Sequence, residues 1–123
     1  MSRAKESKAS KVLPRRELLE PGATQPVRET HRAGAIKRHM GKVAALGCAV
    51  CRAMGLGATP AQCHHIREGQ GASQRAPDML VIPLCPEHHQ GDSGIHKLGA
   101  SEFKRRYRLT ELDILADTLE LIA

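Results

Sequence analysis

Apolar residues are spaced unevenly along this chain, and their spacing divides it. From Met1 to about Thr30 there is no apolar period; Val12-Leu13 and Leu18-Leu19 are isolated points, and Pro14, Pro21 and Pro26 interrupt any long helix. This stretch reads as a disordered basic tail. From about Ala33 to Leu46 the pattern turns helical. Ile36, Met40, Val43 and Ala44 fall on one face, and Gly47 follows as a stop. Cys48 to Cys51 reads as a tight turn and Met54 to Thr59 as a Gly-rich loop. Pro60 to Ile66 reads as a short strand, Arg67 to Pro77 as a polar loop, and Met79 to Leu84 as a buried strand. Pro86 suits the first turn of a helix carrying His88 and His89, with Gly91 and Gly94 after it. Two helices close the chain. Ser101 is placed to cap the first, over Glu102 to Tyr107. Thr110 is placed to cap the second, with Asp113 three residues on. Leu112, Leu115, Leu119 and Ile122 mark the stripe that the last helix is expected to bury, with Ile114 and Leu121 beside it.

Composition sharpens this picture. The 123 residues suit one domain, and the aromatic share is only 2%, so the core is expected to be thin. Thin cores call for a metal, a disulfide or a partner. The net charge of +6 points to an anionic partner, nucleic acid first. In the tail, Arg3, Lys5, Lys8, Lys11, Arg15 and Arg16 suit a phosphate backbone as well as they suit plain solvation. No stretch approaches the length of a membrane span, and no apolar run follows the basic start, so neither membrane insertion nor secretion is expected.

Candidate chemistry is concentrated. All 4 cysteines and five of the 7 histidines lie between Cys48 and His96. Cys48-x-x-Cys51 and Cys85-x-x-His88 each bring two ligands from one turn, and two such pairs complete the tetrahedron that Zn²⁺ accepts. Such a closed site is scaffold. Cys63 remains over, either to displace one of the four ligands or, as is commoner at such a place, as a small buried residue. A second set comprises His64, His65, Asp78, His89 and His96. Strand neighbours point to opposite faces, so His64 and His65 are expected to divide their labour. His89 is turned about 100° from His88 on a helix, which lets it face a second site. Hydrolysis of a phosphodiester needs a proton acceptor for water and positive charge at the phosphate. A neutral imidazole supplies the first and a divalent metal the second. Plainer readings stand beside these: His65 as a structural histidine, His64 as a zinc-staple ligand, Asp78 as a turn residue, His96 as a helix-end charge. Arg67, Arg75 and Lys97 flank the set and suit phosphate contact.

The order Cys48-x-x-Cys51, His64-His65-Ile66, Cys85-x-x-His88-His89 resembles the HNH (His-Me finger) endonucleases. More narrowly, Gly47-Cys48-x-Val50-Cys51, His64-His65-Ile66-Arg67 with Gly69-Gln70-Gly71, Ile82-Pro83-Leu84-Cys85-Pro86-x-His88-His89 and Gly94-Ile95-His96 resemble the RecA-dependent recombination-enhancement nucleases of phages. The likeness covers roughly residues 35 to 122. It implies an α+β fold, a small zinc-stapled ββα-metal core with flanking helices, in a domain over 31–123 behind the tail of 1–30. It also implies His65 as general base, and His64, His89 and His96 as ligands of a catalytic Mg²⁺, Mn²⁺ or Zn²⁺ beside the structural Zn²⁺. The family's middle Asn has no counterpart, since the chain contains no Asn; Asp78 stands near its place. The function implied is a metal-dependent DNA endonuclease, directed by a RecA filament, in a bacterial or phage-encoded cytoplasmic protein. HNH chemistry conventionally leaves a 5′-phosphate and a 3′-hydroxyl. The rival reading is a non-catalytic zinc-binding DNA-binding module; a zinc hydrolase of small substrates lacks a pocket-forming core.

Overall fold

The computed structural model describes residues 24–71 and 74–123 of the chain. The chain divides into two units, 1–35 and 36–123. Helix α1 spans Thr24–Ala45 and supplies all of the described part of the first unit, where Arg32 Nη2 meets Glu29 Oε2 at 2.8 Å. The helix begins well before Ala33, where the apolar pattern starts. Pro26 does not break it because it stands in the first turn, where a missing N–H costs no intrahelical bond. The basic positions of the tail lie outside the described residues.

The second unit is a small α+β fold. After α1 come α2 (Ala49–Ala53), β1 (Gln62–His65), β2 (Val81–Leu84), α3 (Pro86–His89), α4 (Ile95–Tyr107) and α5 (Glu111–Ile122). The strands pair antiparallel, with His64 opposite Ile82 and His65 opposite Val81. Pro83 is tolerated in β2 because each strand of a two-stranded sheet keeps one unpaired edge. All four residues of β2 are buried, as its unbroken apolar run predicts. α2 and α5 pack on β2, and α3 touches both strands and α4. The core is thin and includes the thiols. Val50, Ile66, Ile82, Leu84, Ile95, Phe103 and Ile114 cluster with Cys48, Cys51 and Cys85. The few aromatic rings sit beside that cluster. Phe103 packs on Tyr107, Tyr107 packs edge-on against His88, and its hydroxyl donates to Ser93 O at 2.8 Å. Among the described residues, no helix is long and apolar enough to cross a membrane.

Two expectations about the last helices need correction. Ser101 does not cap a helix, because α4 begins at Ile95 and has resumed before Ser101 after its one non-helical residue. It is broken instead at Gly99, whose φ 83 and ψ 161 lie in a region that glycine alone occupies readily. The break lets one element carry His96 on its first turn and a basic segment beyond. α5 has the expected capping box, Asp113 N donating to Thr110 Oγ1 at 3.0 Å and Thr110 N to Asp113 Oδ2 at 2.9 Å. Its buried face, however, is Glu111, Ile114, Leu115 and Thr118. Leu112 and Leu119 are 46% and 41% exposed. The helix is turned by one residue, about 100°, from the face its leucines suggest.

Candidate metal centres

Cys48 ends the turn after α1 and caps α2, its Sγ accepting from Cys51 N at 3.4 Å. Cys85 follows β2 at the N-cap of α3, and Pro86 starts the short helix that swings His88 back towards it. All four side chains are buried. His88 Nδ1 lies 3.5 Å from Cys48 Sγ, 3.5 Å from Cys51 Sγ and 3.3 Å from Cys85 Sγ. Cys51 and Cys85 Sγ are 3.8 Å apart. At ordinary zinc bond lengths, a tetrahedron separates its sulfurs by about 3.8 Å and a sulfur from a nitrogen by about 3.6 Å. The donor set fits a structural metal such as zinc in kind and in spacing. Burial lowers the pKa of His88, against the smaller pull of Glu87, and so favours the neutral form that a ligand needs. Cys63 stays out of this cluster; it is half-buried and donates to Met40 O at 3.3 Å. Burial raises its pKa and keeps it a thiol.

The second cluster gathers His64 from β1, His89 from the end of α3 and His96 from the start of α4. Their ring centroids are 4.8 to 5.1 Å apart, and one ring nitrogen of each lies within 4.8 Å of the others. Gly94 makes this approach possible. A Cβ there would sit 2.7 Å from the His89 carbonyl oxygen, so only a bare backbone lets the turn fold tightly enough to return His96 to His89. His64 is 3% exposed, and its Nε2–H donates to Glu111 Oε2 at 2.6 Å, which leaves the Nδ1 lone pair for a ligand. His89 Nδ1–H donates to Gln62 Oε1 at 2.7 Å, and its Nε2 faces His96 Nε2 at 3.1 Å. Burial, then the nearby His64 and His96, lower the pKa of His89 to about 4, and His96 is lowered too. At neutral pH His89 and His96 are therefore uncharged rings with converging lone pairs. Nitrogens bound to one metal ion stand about 3.0 to 3.4 Å apart, for octahedral and tetrahedral angles respectively, so the close pair suits a shared cation.

Two residues that hold these rings are not evident from the sequence. Glu111 is 4% exposed and accepts from His64, from Arg67 N and from Glu68 N, the last two at 2.8 Å. Burial works to raise its pKa, but these donors outweigh it and hold the carboxylate ionised. Its place in the chain, directly after a helix cap, shows only a helix start. Gln62 lies two residues before His64 on β1, hence on the same face. That alternation was the one available signal for it.

His65 points away from this cluster and is 18% exposed. Its Nε2 meets Asp78 Oδ1 at 2.7 Å, and Arg75 Nη2 approaches the same oxygen at 3.4 Å. The bond from His65 is the main reason the Asp78 pKa is lowered. Asp78 therefore orients His65 and does not join the three histidines. Arg67 lines a cleft of about 330 Å³ with His64, His96 and Gly99. Lys97 is turned to Asp92 at 3.7 Å. His39 Nε2 bonds Met79 O at 2.9 Å and stands outside both clusters.

Comparison with known proteins gives one finding. The family model described as recombination enhancement, RecA-dependent nuclease matches residues 33–123. No curated protein and no solved structure matches the chain.

Proposed function

The chain belongs to the recombination-enhancement, RecA-dependent nucleases, and on that footing we propose that it is a metal-dependent DNA endonuclease with an HNH-type ββα-metal core formed by β1, β2 and α3. The observation that carries this reading is the convergence of His64, His89 and His96, with two of the rings oriented by Glu111 and Gln62. Metal-ligating histidines characteristically donate their other ring N–H to such a partner. A scaffold that only bound DNA would have no use for a second, half-open set of converging imidazoles beside its closed zinc staple.

In this reading His64, His89 and His96 hold the catalytic cation. When bound, that ion neutralises charge on the scissile phosphate and on the leaving oxygen. His65 keeps its Nε2–H on Asp78, so its Nδ1 lone pair is free to take a proton from the attacking water. Asp78 fixes the ring and stabilises the imidazolium that results, and so fills the role of the missing Asn by a charge rather than an amide. Arg67 at the cleft is placed to meet a phosphate, with Arg75 beside the Asp78 dyad. Lys97 serves if its contact with Asp92 opens. Three imidazoles suit Zn²⁺ or Mn²⁺ better than Mg²⁺, which prefers oxygen donors. The staple takes Zn²⁺. The domain is 31–123, and the basic stretch before it is a candidate contact for DNA or the RecA filament.

The test is nicking of plasmid and single-stranded DNA with Mn²⁺ or Mg²⁺, with and without a RecA filament, by the protein and by His65→Ala. The expected result is cutting that requires added metal and falls at least about 100-fold in the variant while its zinc content is unchanged. Unaltered cutting by the variant would remove His65 from the mechanism. DNA binding without cutting under any condition would leave a binding module.

A further inference from the structure

The nuclease reading makes no use of the cations on the second half of α4. Lys104, Arg105, Arg106 and Arg108 fall within five consecutive positions, and all are exposed. A helix C-terminus favours positive charge, but that effect is confined to the last turn and does not call for four cations. Their placement is more telling. Ser101, Lys104, Arg105 and Arg108 line a depression of about 600 Å³. It shares Ser101 and Lys104 with a second of about 350 Å³. The second shares Ile95, Ala100 and Glu111 with the cleft at His64 and His96. The three hollows thus follow one another along α4 through shared walls, from the histidines to Arg108, and are called the trough below. The segment 100–107 alone, at 1.5 Å per residue, covers about 12 Å, the length of about three stacked nucleotides.

The charges along this trough are not all committed. Glu102 holds Arg105 through bonds of 3.0 and 2.6 Å. Among the described residues, neither Lys104 nor Arg108 makes an ion pair, although the charge of Lys104 adds to the bonds from Thr110 that lower the pKa of Asp113. Arg108 also stands at φ 61, a left-handed conformation that glycine or asparagine holds with less strain. Glu111, at the histidine end, is buried and occupied by His64 and two backbone N–H groups, which leaves Glu68 as the exposed acid at the junction.

We propose that Lys104 and Arg108, with Ser101 and Arg105 beside them, form a track that holds a nucleic-acid strand by its phosphates as it runs to or from the histidine cleft. Direction along α4 rests on the nuclease reading of that cleft; binding by the track does not. Contacts of this kind grip the backbone and read no bases.

The experiment is fluorescence anisotropy over a series of salt concentrations, using the full chain with a labelled oligothymidylate and a labelled duplex. Three proteins are compared: the parent, Lys104→Gln with Arg108→Asn, and Lys37→Gln with Arg38→Gln on α1. Asparagine suits the left-handed position, and the α1 pair removes equal charge away from the trough. Circular dichroism and zinc content serve as folding controls. The trough variant is expected to bind DNA at least tenfold more weakly, with the slope of log affinity on log salt reduced by about 1.4 on the single strand, and the α1 variant to bind nearly as the parent does. Equal losses in both variants would reduce the effect to net charge and overturn the track. Unchanged DNA affinity in the trough variant would also overturn it, whether or not poly-glutamate, an acidic-protein mimic, bound there instead. Failure of His65→Ala to lose cutting would overturn the nuclease mechanism and leave these binding results standing.

Discussion

Glu111 holds one ring of the three-histidine cluster, and its neighbours in the chain do not disclose that contact. Its carboxylate ties α5 to His64 and to the backbone that follows β1. Glu111→Gln keeps the shape but removes the charge that fixes the tautomer of His64. The expected outcome is a loss of about 10- to 100-fold in affinity for the second metal, with the staple zinc retained, as read by calorimetric titration with Mn²⁺ or Zn²⁺. The histidines also predict a pH dependence. His89 is held neutral in the fold down to about pH 4, whereas an unfolded histidine takes up its proton near pH 6.5. Between those values the unfolded chain binds more protons than the folded one, so stability rises with pH across that window and falls as pH is lowered through it. Denaturant midpoints of protein carrying staple zinc alone should decline from pH 6.5 to 4. A midpoint that stayed flat would mean that His89 titrates normally.

At the scale of elements, α5 shows how a tertiary contact can override an amphipathic pattern. Its leucines propose one face, and the fold buries the face one residue earlier. The reason lies at the start of the buried stripe. Glu111 is drawn inward by three donors, and Ile114 and Leu115 then follow it onto the core. Leu115→Ala should cost about 2–5 kcal/mol, as large core truncations do. Leu112→Ser, at an equally apolar position, should change stability by about 0.5 kcal/mol or less. Urea titration of the two variants checks this, and a comparable loss in both would restore the face that the leucines suggest. α1 offers the opposite case. Its apolar spacing predicts its second half well, yet its start is set by where Pro26 falls, and a proline that would break a helix interior is harmless in the first turn.

Over the whole molecule, the staple does what a larger core would do elsewhere. Cys48, Cys51 and Cys85 are members of the hydrophobic cluster, and His88 is packed against Tyr107. A metal held by these four ligands would pull together the end of α1, α2, the end of β2 and α3, which the short sheet could not organise alone. A strong chelator should therefore abolish cooperative thermal unfolding followed by circular dichroism, and added zinc should restore it. Removal of a cation from the three histidines should leave the melting transition cooperative, because that site lies at the surface of an already closed fold.

The sequence by itself was enough for the ligand inventory. Cys-x-x-Cys and Cys-x-x-His spacings are local, and a turn brings each pair together wherever it occurs, so the staple, the adjacent histidine pairs, the buried β2 run and the capping box of α5 could all be read directly. The family likeness rests on those same local motifs. Only the tertiary structure decided which nitrogen of each histidine is free, because Glu111 lies 47 residues from His64 and Gln62 lies 27 from His89. It also decided that Asp78 serves His65 and not the metal set, that α4 breaks at Gly99, and that the basic half of α4 continues the hollow of the histidine cleft. Such facts depend on contacts between distant segments, and those contacts follow from packing geometry that no local spacing records.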